Sequence, residues 1–436
     1  MSFIKSSIDF KNQNSCPKVL LISALPITKS ASTRAFYTYF KNIPSENIAQ
    51  IYTNTANPTD FNLCKNFLQI TDARLLKRRF SKNVKVEQQF KQLINDSASI
   101  SKSHSLMISF GKKDYSLVDL LRDRVWKTRY FLNKETKTWI EEFNPDLIFY
   151  HNSNALFMEK MCLEIYKYCK KPVLLEVSDD YLFGKKFSLS PFRLIRKIIY
   201  KKRFRKIIGL SSNQIYVSDK MERKYNKYFS KNGKTVHISS ELSVSSKSGG
   251  EKSLKIGYFG NTGLGRLKPL LEISEGIKSI SKDLSIDVYC PRLGNSKEGK
   301  KEENLNYCGF LSYDKMIEKM KEYDLLLFVE SSKKKYLSQT EYSLSTKIAD
   351  YLSCGVPIFA YGPSNSGSIS YLRENDCAVV CDKKTTLIDL LSKALDDVET
   401  RENAVNKGKR VFERDFNLER NSNLSFSIIS NIVKKE

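Results

Sequence analysis

The chain has 436 residues, 41% of them hydrophobic and 28% charged, a composition that excludes a disordered or fibrous protein and leaves room for two ordinary domains. No run approaches the roughly 20 apolar residues of a membrane span, and residues 1–17 do not read as a signal peptide, so a cytoplasmic protein is expected. The 73 basic and 48 acidic side chains leave a net charge of +25, which calls for an anionic partner: nucleic acid, anionic lipid or a diphosphate-bearing substrate.

Taken in order, residues 18–25 (K-V-L-L-I-S-A-L) form a short apolar run typical of a first buried parallel strand, with a helix to follow over 32–40. A second strand is expected at 48–53 and a basic, largely helical region over 67–93. Residues 95–115 turn Ser-rich and read as a surface loop. Helical spacing resumes over 117–143, and strands are expected at 146–150 and 173–177 with a helix over 155–169 between them. The polar clusters at His151 and at Asp179 and Asp180 follow these two strands, where open α/β sheets hold their ligands. Strands at 214–217 and 236–239, with a helix over 219–228 capped by Ser218, complete this half.

Residues 243–253 (S-V-S-S-K-S-G-G-E-K-S) read as a linker. A second alternating series follows, with strands at 254–259, 285–290, 306–309, 324–329, 358–360 and 378–381 and helices between. The expected division is therefore 1–245, 246–415 and a final segment, 416–436, whose helix crosses back onto the first half. Nine cysteines lack the paired spacing of a zinc site or disulfide framework and are expected to be reduced and mostly buried.

Charge concentrates in two places: Arg74, Lys77, Arg78, Arg79, Lys82 and Lys85, then Arg193, Arg196, Lys197, Lys201, Lys202, Arg203, Arg205 and Lys206. The second group shares a helix with Phe192, Ile195, Ile198, Ile199, Phe204 and Ile207. That helix reads either as a membrane-surface element facing an anionic leaflet or as a solvated basic face. No nucleic-acid motif or aromatic stacking pattern accompanies either group, so nucleic acid is not expected as the partner.

Residues 340–363 (T-E-Y-S-L-S-T-K-I-A-D-Y-L-S-C-G-V-P-I-F-A-Y-G-P) organise the second half. Ser345 and Thr346 are N-cap residues, Gly355 supplies a left-handed C-terminal cap, Pro357 stops the helix, and 358–360 reads as a strand buried on both sides. Thr346, Lys347 and Asp350 share one helical face, and Ile348, Tyr351 and Leu352 share another. Hydroxyls, an ammonium and a carboxylate at a helix N-terminus suit a diphosphate with a ribose beside it. An amphipathic helix with a solvated face fits the same pattern.

Four segments together resemble the C-terminal domain of GT-B glycosyltransferases, and family 4 of the retaining nucleotide-sugar enzymes in particular. They are I-G-Y-F-G-N-T-G-L-G-R (256–266), N-Y-C-G-F-L-S-Y-D-K-M (306–316), Y-D-L-L-L-F-V-E-S (323–331) and K-I-A-D-Y-L-S-C-G-V-P-I (347–358). In the first half, P-D-L-I-F-Y-H-N-S-N-A around His151 and Y-V-S-D-K-M from Tyr216 are also similar to family segments. The resemblance implies an α/β protein of the GT-B class, two Rossmann-like doubly wound parallel-sheet domains facing a cleft.

It also implies roles. Asp350 stands where the family has a glutamate that grips the donor ribose. The family's upstream glutamate falls at Tyr342, so Glu341, one residue away, is the catalytic-side candidate. Ser345, Thr346 and Lys347 are expected at the diphosphate. Gly260, Asn261 and Gly263 form the turn after the first strand of this half, with Arg266 and Lys268 as the cations for the departing nucleoside diphosphate.

A histidine at a strand end is often structural, but the coincidence of His151 with the family's histidine near the transferred sugar assigns it a catalytic part. His104 and His237 receive none. Asp179 and Asp180 are acceptor-side candidates or caps of the strand turn. Being adjacent, they are not the D-x-D of metal-dependent transferases, so neither a metal nor a cofactor is expected.

The resulting expectation is a family 4-like hexosyltransferase that uses a UDP- or GDP-sugar. Its acceptor is a glycan or a lipid-diphosphate-linked glycan, as in capsule or surface-polysaccharide assembly. A peripheral position at the inner face of the membrane, against an anionic surface, follows from the basic first half. Two rivals stand beside it: a non-catalytic basic GT-B protein that binds nucleic acid or an anionic surface, and a GT-B sugar-nucleotide epimerase.

Overall fold

Buried runs of β-branched and aromatic residues build two sheets, each covered on both faces by helices. The computed structural model describes residues 16–29, 33–81, 85–90, 115–184, 190–242, 254–291 and 304–435. The expected linker at 243–253, His104, and all but the end of the expected loop at 95–115 lie outside the described residues.

The first domain runs β1 (Val19–Ser23), α1 (Arg34–Phe40), β2 (Ile48–Tyr52), β3 (Asn66–Ile70), α2 (Asp72–Phe80) and β4 (Glu87–Phe90). It continues through α3 (Tyr115–Val125), α4 (Thr128–Phe131), α5 (Lys134–Phe143), β5 (Leu147–His151), α6 (Leu156–Cys169) and β6 (Val173–Val177). The long α7 (Pro191–Leu210), β7 (Ser211–Tyr216), α8 (Asp219–Phe229) and β8 (Lys234–Thr235) close it. Its sheet has the order β4-β3-β2-β1-β5-β6-β7-β8. In β1, Leu20 and Ile22 join the core on one face and Val19 and Leu21 the core on the other, which is why the run shows no polar alternation.

Four expectations are corrected here. Residues 67–93 are not one helical region: Phe67, Leu68 and Ile70 are buried in β3, which pairs with β2, and among the described residues of this range only Asp72–Phe80 is helical, 82–84 and 91–93 lying outside them. The polar edge strand β4 pairs antiparallel with β3, so this sheet is not wholly parallel. The helical spacing over 117–143 is split into α3, α4 and α5, the last restarted by Asn133, whose side chain accepts from the Thr136 amide. Residues 236–239 do not form a strand. The chain leaves the sheet there, and the Ser239 amide donates to Thr38 Oγ1 on α1 at 3.1 Å.

The second domain runs β9 (Ile256–Phe259), α9 (Leu267–Ile280), β10 (Ile286–Tyr289), β11 (Leu305–Gly309), α10 (Tyr313–Met320), β12 (Leu325–Val329) and α11 (Lys334–Thr340). It then adds α12 (Lys347–Ser353), β13 (Ile358–Tyr361), α13 (Gly367–Glu374), β14 (Val379–Cys381), α14 (Leu387–Asp396) and α15 (Val398–Val411). The sheet is parallel, in the order β11-β10-β9-β12-β13-β14. A π-helical turn, Phe412–Phe416, leads into α16 (Leu418–Val433). That helix packs on α1: Ile428, Ile429 and Ile432 fill the first domain's core, and Ser425 Oγ donates to the Tyr39 carbonyl at 3.0 Å.

All nine cysteines are free, and six of them are buried. Among the described residues, no helix is long and apolar enough to cross a membrane.

In each sheet the strand order reverses once near the middle, between β1 and β5 and between β9 and β12. Open α/β sheets bind ligands in the crevice beyond the carboxyl ends of such a pair. His151 ends β5, Gly260 follows β9 and Glu330 follows β12. The two crevices carry the candidate residues.

Candidate active site

A cleft of about 650 Å³ lies between the domains. Asp179, Asp180, Arg193, Arg196 and Lys197 are on its first-domain wall; Arg266, Glu330, Ser343, Ser345 and Thr346 are on the other. The fold thus brings five sequence-derived candidates to one cavity: Asp179, Asp180, Arg266, Ser345 and Thr346.

Around α12 the local sequence explains the geometry. Gly355 adopts φ +65°, the left-handed conformation that ends the helix before Pro357. Tyr351 fastens the helix to the sheet: its hydroxyl accepts from the Phe259 amide at 3.1 Å and lies 3.2 Å from the Leu327 carbonyl. Neither Ser345 nor Thr346 caps through its side chain; the Ser345 amide instead donates to Ser368 Oγ at 3.0 Å.

Lys347, the first residue of α12, turns its Nζ under the turn after β9, where the nitrogen has neither exposure nor a hydrogen-bond partner. The rings of Tyr258 and Phe328 lie 5.1 and 5.5 Å from it. A Cβ at Gly260 would come within 2.7 Å of that nitrogen and displace it, and the backbone φ of +136° there is one that favours glycine. Burial, helped by the neighbouring Arg266 charge and opposed by Glu330 and Asp350, lowers the Lys347 ammonium to about 7. Arg266 is held by Glu330, Nη2 to Oε1 at 2.9 Å, while its Nε and Glu330 Oε2 are buried without partners. Lys347 Nζ and Arg266 Nε are thus buried donors without acceptors, which the oxygens of an anionic ligand suit, while Glu330 Oε2 calls for a donor.

Asp350 does not face solvent. It accepts from Arg34 Nη1 at 2.5 Å and from the Tyr313 hydroxyl at 2.7 Å. Arg34, at the start of α1 in the first domain, also donates to the Thr346 carbonyl at 2.8 Å. The solvated face that the amphipathic alternative required is absent from Ile348–Ser353, all of it buried.

Across the cleft, His151 Nδ1 lies 2.5 Å from Oε2 of Glu176, a fully buried carboxylate on β6. Burial lowers the imidazole's pKa, but the Glu176 carboxylate outweighs it and the net shift is upward. The Phe36 ring packs edge-on against His151, with centroids 5.1 Å apart. Asp180 accepts from the amides of Leu182 and Phe183 and from the Tyr225 hydroxyl, which caps the turn, while its Oδ2 is buried without a partner. Burial raises its pKa. Asp179 Oδ1 accepts from Ser343 Oγ at 3.2 Å, linking the domains.

His151, Lys347, Asp350, Glu341, Gly260, Asn261, Gly263 and Lys268 do not line the cavity itself. Glu341 ends α11 beside Tyr342, and Tyr342 packs into the first domain's core. The Tyr342 carbonyl accepts from Ser218 Oγ, so the position of the family's upstream glutamate is occupied by an interdomain contact. Asn261 Oδ1 accepts from the Gly263 amide at 2.6 Å and shapes the turn. Lys268 is two-thirds exposed and pairs with Glu272 on its own helix.

Sequence reasoning missed Arg34, Tyr313, Glu176 and Glu330. Glu330 carried a signal, since it directly follows the apolar run of β12 at the switch point. The other three stand within ordinary helical or strand patterns.

This pair of facing, doubly wound α/β domains has the GT-B architecture. Residues 273–423 match the model of the family described as glycosyl transferase-like. Sucrose-phosphate synthase from Thermosynechococcus elongatus is similar over 96% of this chain and 99% of its own, at 10% identity and a TM-score of 0.60. Anabaena HepE, solved in complex with UDP and glucose, is similar over 95% of this chain and 99% of its own, at 12% identity and a TM-score of 0.59. Trehalose 6-phosphate synthase from Burkholderia multivorans covers 96% and 99%, at 9% identity and a TM-score of 0.57. At such identities the likeness establishes the fold. No curated protein sequence matches the chain.

Proposed function

We propose that the chain is a glycosyltransferase that moves a sugar from a UDP- or GDP-sugar to a glycan or lipid-linked glycan acceptor. The proposed chemistry is of the retaining, family 4 type, and the role is in surface-polysaccharide assembly at the cytoplasmic face of a membrane. The observation that carries the reading is the unpartnered Lys347 ammonium beneath Gly260, with Arg266 and Glu330 beside it at the switch point of the second sheet. The glycosyl transferase-like match over 273–423 spans Glu330, Lys347 and Asp350, and HepE was solved with UDP-glucose, which supports a uridine donor.

In this reading the diphosphate settles against Ser345 and Thr346 with Lys347 and Arg266 as its counter-charges, which strengthen as the leaving group gains charge. The bond from the sugar's anomeric carbon to the β-phosphate oxygen breaks and its electron pair stays on the diphosphate. The acceptor hydroxyl forms the new bond on the same face of the sugar and gives up its proton to the departing diphosphate. His151, whose imidazole Glu176 favours in the protonated form, is assigned the sugar's passing oxocarbenium character, and Asp179 and Asp180 are assigned the acceptor. Asp350 is assigned the donor ribose, a contact that requires Arg34 to yield. Because two side-chain cations take up the diphosphate charge, no metal is assigned; EDTA should leave transfer unchanged.

The test is a thermal-shift and transfer screen of the full chain against UDP, GDP and their sugars. Stabilisation by one nucleoside diphosphate and its sugar is expected. No stabilisation by any of them would overturn the proposal, and consumption of a sugar nucleotide without an acceptor would replace transfer with epimerisation.

A further inference from the structure

The 20-residue helix α7 contains eight Lys and Arg and no Asp or Glu, and its two halves differ. Tyr200, Phe204, Ile207 and Ile208 are buried and define its inward side. At 100° per residue, Leu194, Ile195 and Ile198 point the opposite way, in the same sector as Lys202, Arg205 and Lys206. Leu194 is 61%, Ile195 47% and Ile198 57% exposed, Phe192 beside them is 40% exposed, and Lys202, Arg205 and Lys206 are exposed as well. The outward face is therefore apolar in the first half and cationic in the second. Single exposed apolar residues are ordinary, but four on one stretch of two turns form a patch. Helix α3, packed against α7, adds Leu121, itself 51% exposed.

The patch lies on the side of α7 turned away from the cleft. Arg193, Arg196 and Lys197, in the same first half of α7, line the cavity, and Arg196 is fixed there by Asp119 at 2.7 Å. Arg193 and Lys197 have no carboxylate partner among the described residues.

We propose that the outward face of α7 docks on an anionic lipid bilayer, with Leu194, Ile195 and Ile198 in the leaflet and Lys202, Arg205 and Lys206 against its headgroups. Apolar tip and basic shaft match the interior and surface of such a membrane in turn. Arg193 and Lys197, on the inward side of the same half of α7, remain in the cleft, where they meet an anionic group of the acceptor. Docking rests on the patch alone; this last consequence rests on the glycosyltransferase reading.

The test is co-sedimentation of the full chain with vesicles of phosphatidylcholine alone or mixed with phosphatidylglycerol, at low and high salt. Binding to the mixed vesicles, weakened by salt, is expected. The Leu194→Ser/Ile198→Ser pair should weaken it by at least about tenfold, and Lys202→Glu/Lys206→Glu should remove the preference for the anionic lipid. Melting temperature and UDP affinity, measured without vesicles, should not change in either variant. The proposal is overturned if neither vesicle pellets the chain or if the Leu194→Ser/Ile198→Ser chain pellets like the wild type. It is equally overturned if that pair instead abolishes a dimer in solution. Vesicle binding in a chain that binds no nucleoside diphosphate would leave docking intact and sink only the glycosyltransferase reading.

Discussion

The second-domain wall of the cleft keeps its cations inside the protein, whereas the first-domain wall keeps Arg193 and Lys197 on a half-exposed helix. Lys347 has a buried Nζ without a hydrogen-bond partner, and Arg266 is 13% exposed and leans on Glu330. A buried cation short of partners costs free energy on folding, so an anionic ligand bound there should stabilise the fold. Exposed cations cost almost nothing and act through steering and surface attraction. One wall thus hides a cation without a hydrogen-bond partner, and the other leaves Arg193 and Lys197 open to the cleft beside a buried Arg196–Asp119 pair.

The largest break in this comparison should come at the contact joining the walls. Asp350→Ala leaves Arg34 buried without its counter-charge and should lower unfolding stability by about 3–5 kcal/mol in urea. The double variant Arg34→Met/Asp350→Leu should recover most of that loss. If Asp350→Ala is nearly neutral, the pair does not hold the domains.

Lys347→Met should cut transfer by about 100-fold or more while leaving the fold as stable as the wild type or more so. A stability loss as large as the activity loss would make Lys347 structural. The pH dependence has a definite sign. An unfolded lysine holds its proton up to about 10.4, while folding lowers Lys347 to about 7. Between those values the unfolded chain binds more protons, so this residue's contribution makes stability rise with pH across that window. Denaturation curves of Lys347→Met should lack the rise.

A smaller effect is expected behind the first wall. Glu159 on α6 is fully buried and neither carboxyl oxygen has a hydrogen-bond partner, and burial raises its pKa well above the usual carboxylate range. Its neutral form contributes stability that is complete below about pH 4.3 and is lost as pH rises through the raised value. Glu159→Gln should change stability at about pH 5 by less than about 1 kcal/mol and abolish that decline. The smallest change belongs to the exposed wall: Arg193→Gln should leave UDP affinity within about twofold.

How much could be read in advance follows the same division between local and distant. The turn at Gly355, the stop at Pro357, Ser218 as a cap and the parallel strands of the second half are written in neighbouring residues, and the structure agrees with them. The edge strand β4 has a polar sequence with no period, so its pairing with β3 left no trace. Arg34 and Asp350 are 316 positions apart, and nothing in either neighbourhood foretells their pairing. The expectation that Lys347 meets a diphosphate came from its place at a helix N-terminus and from resemblance, but its burial between two aromatic rings depends on how α12 meets β9 and β12. On a wheel the apolar and basic positions of α7 already fail to separate beyond Ile199, but which of its apolar residues stay exposed depends on how the helix packs against α3, α6 and the sheet.

The central claim is that a nucleoside diphosphate completes the buried Lys347 site, and titration of UDP into the full chain in two buffers of different ionisation enthalpy tests it most directly. At about pH 8 a diphosphate that restores the lysine's charge must bring a proton with it, so uptake of about one proton per UDP bound is predicted, and none in Lys347→Met. Tight binding without proton uptake, or equal uptake in the variant, would contradict the account.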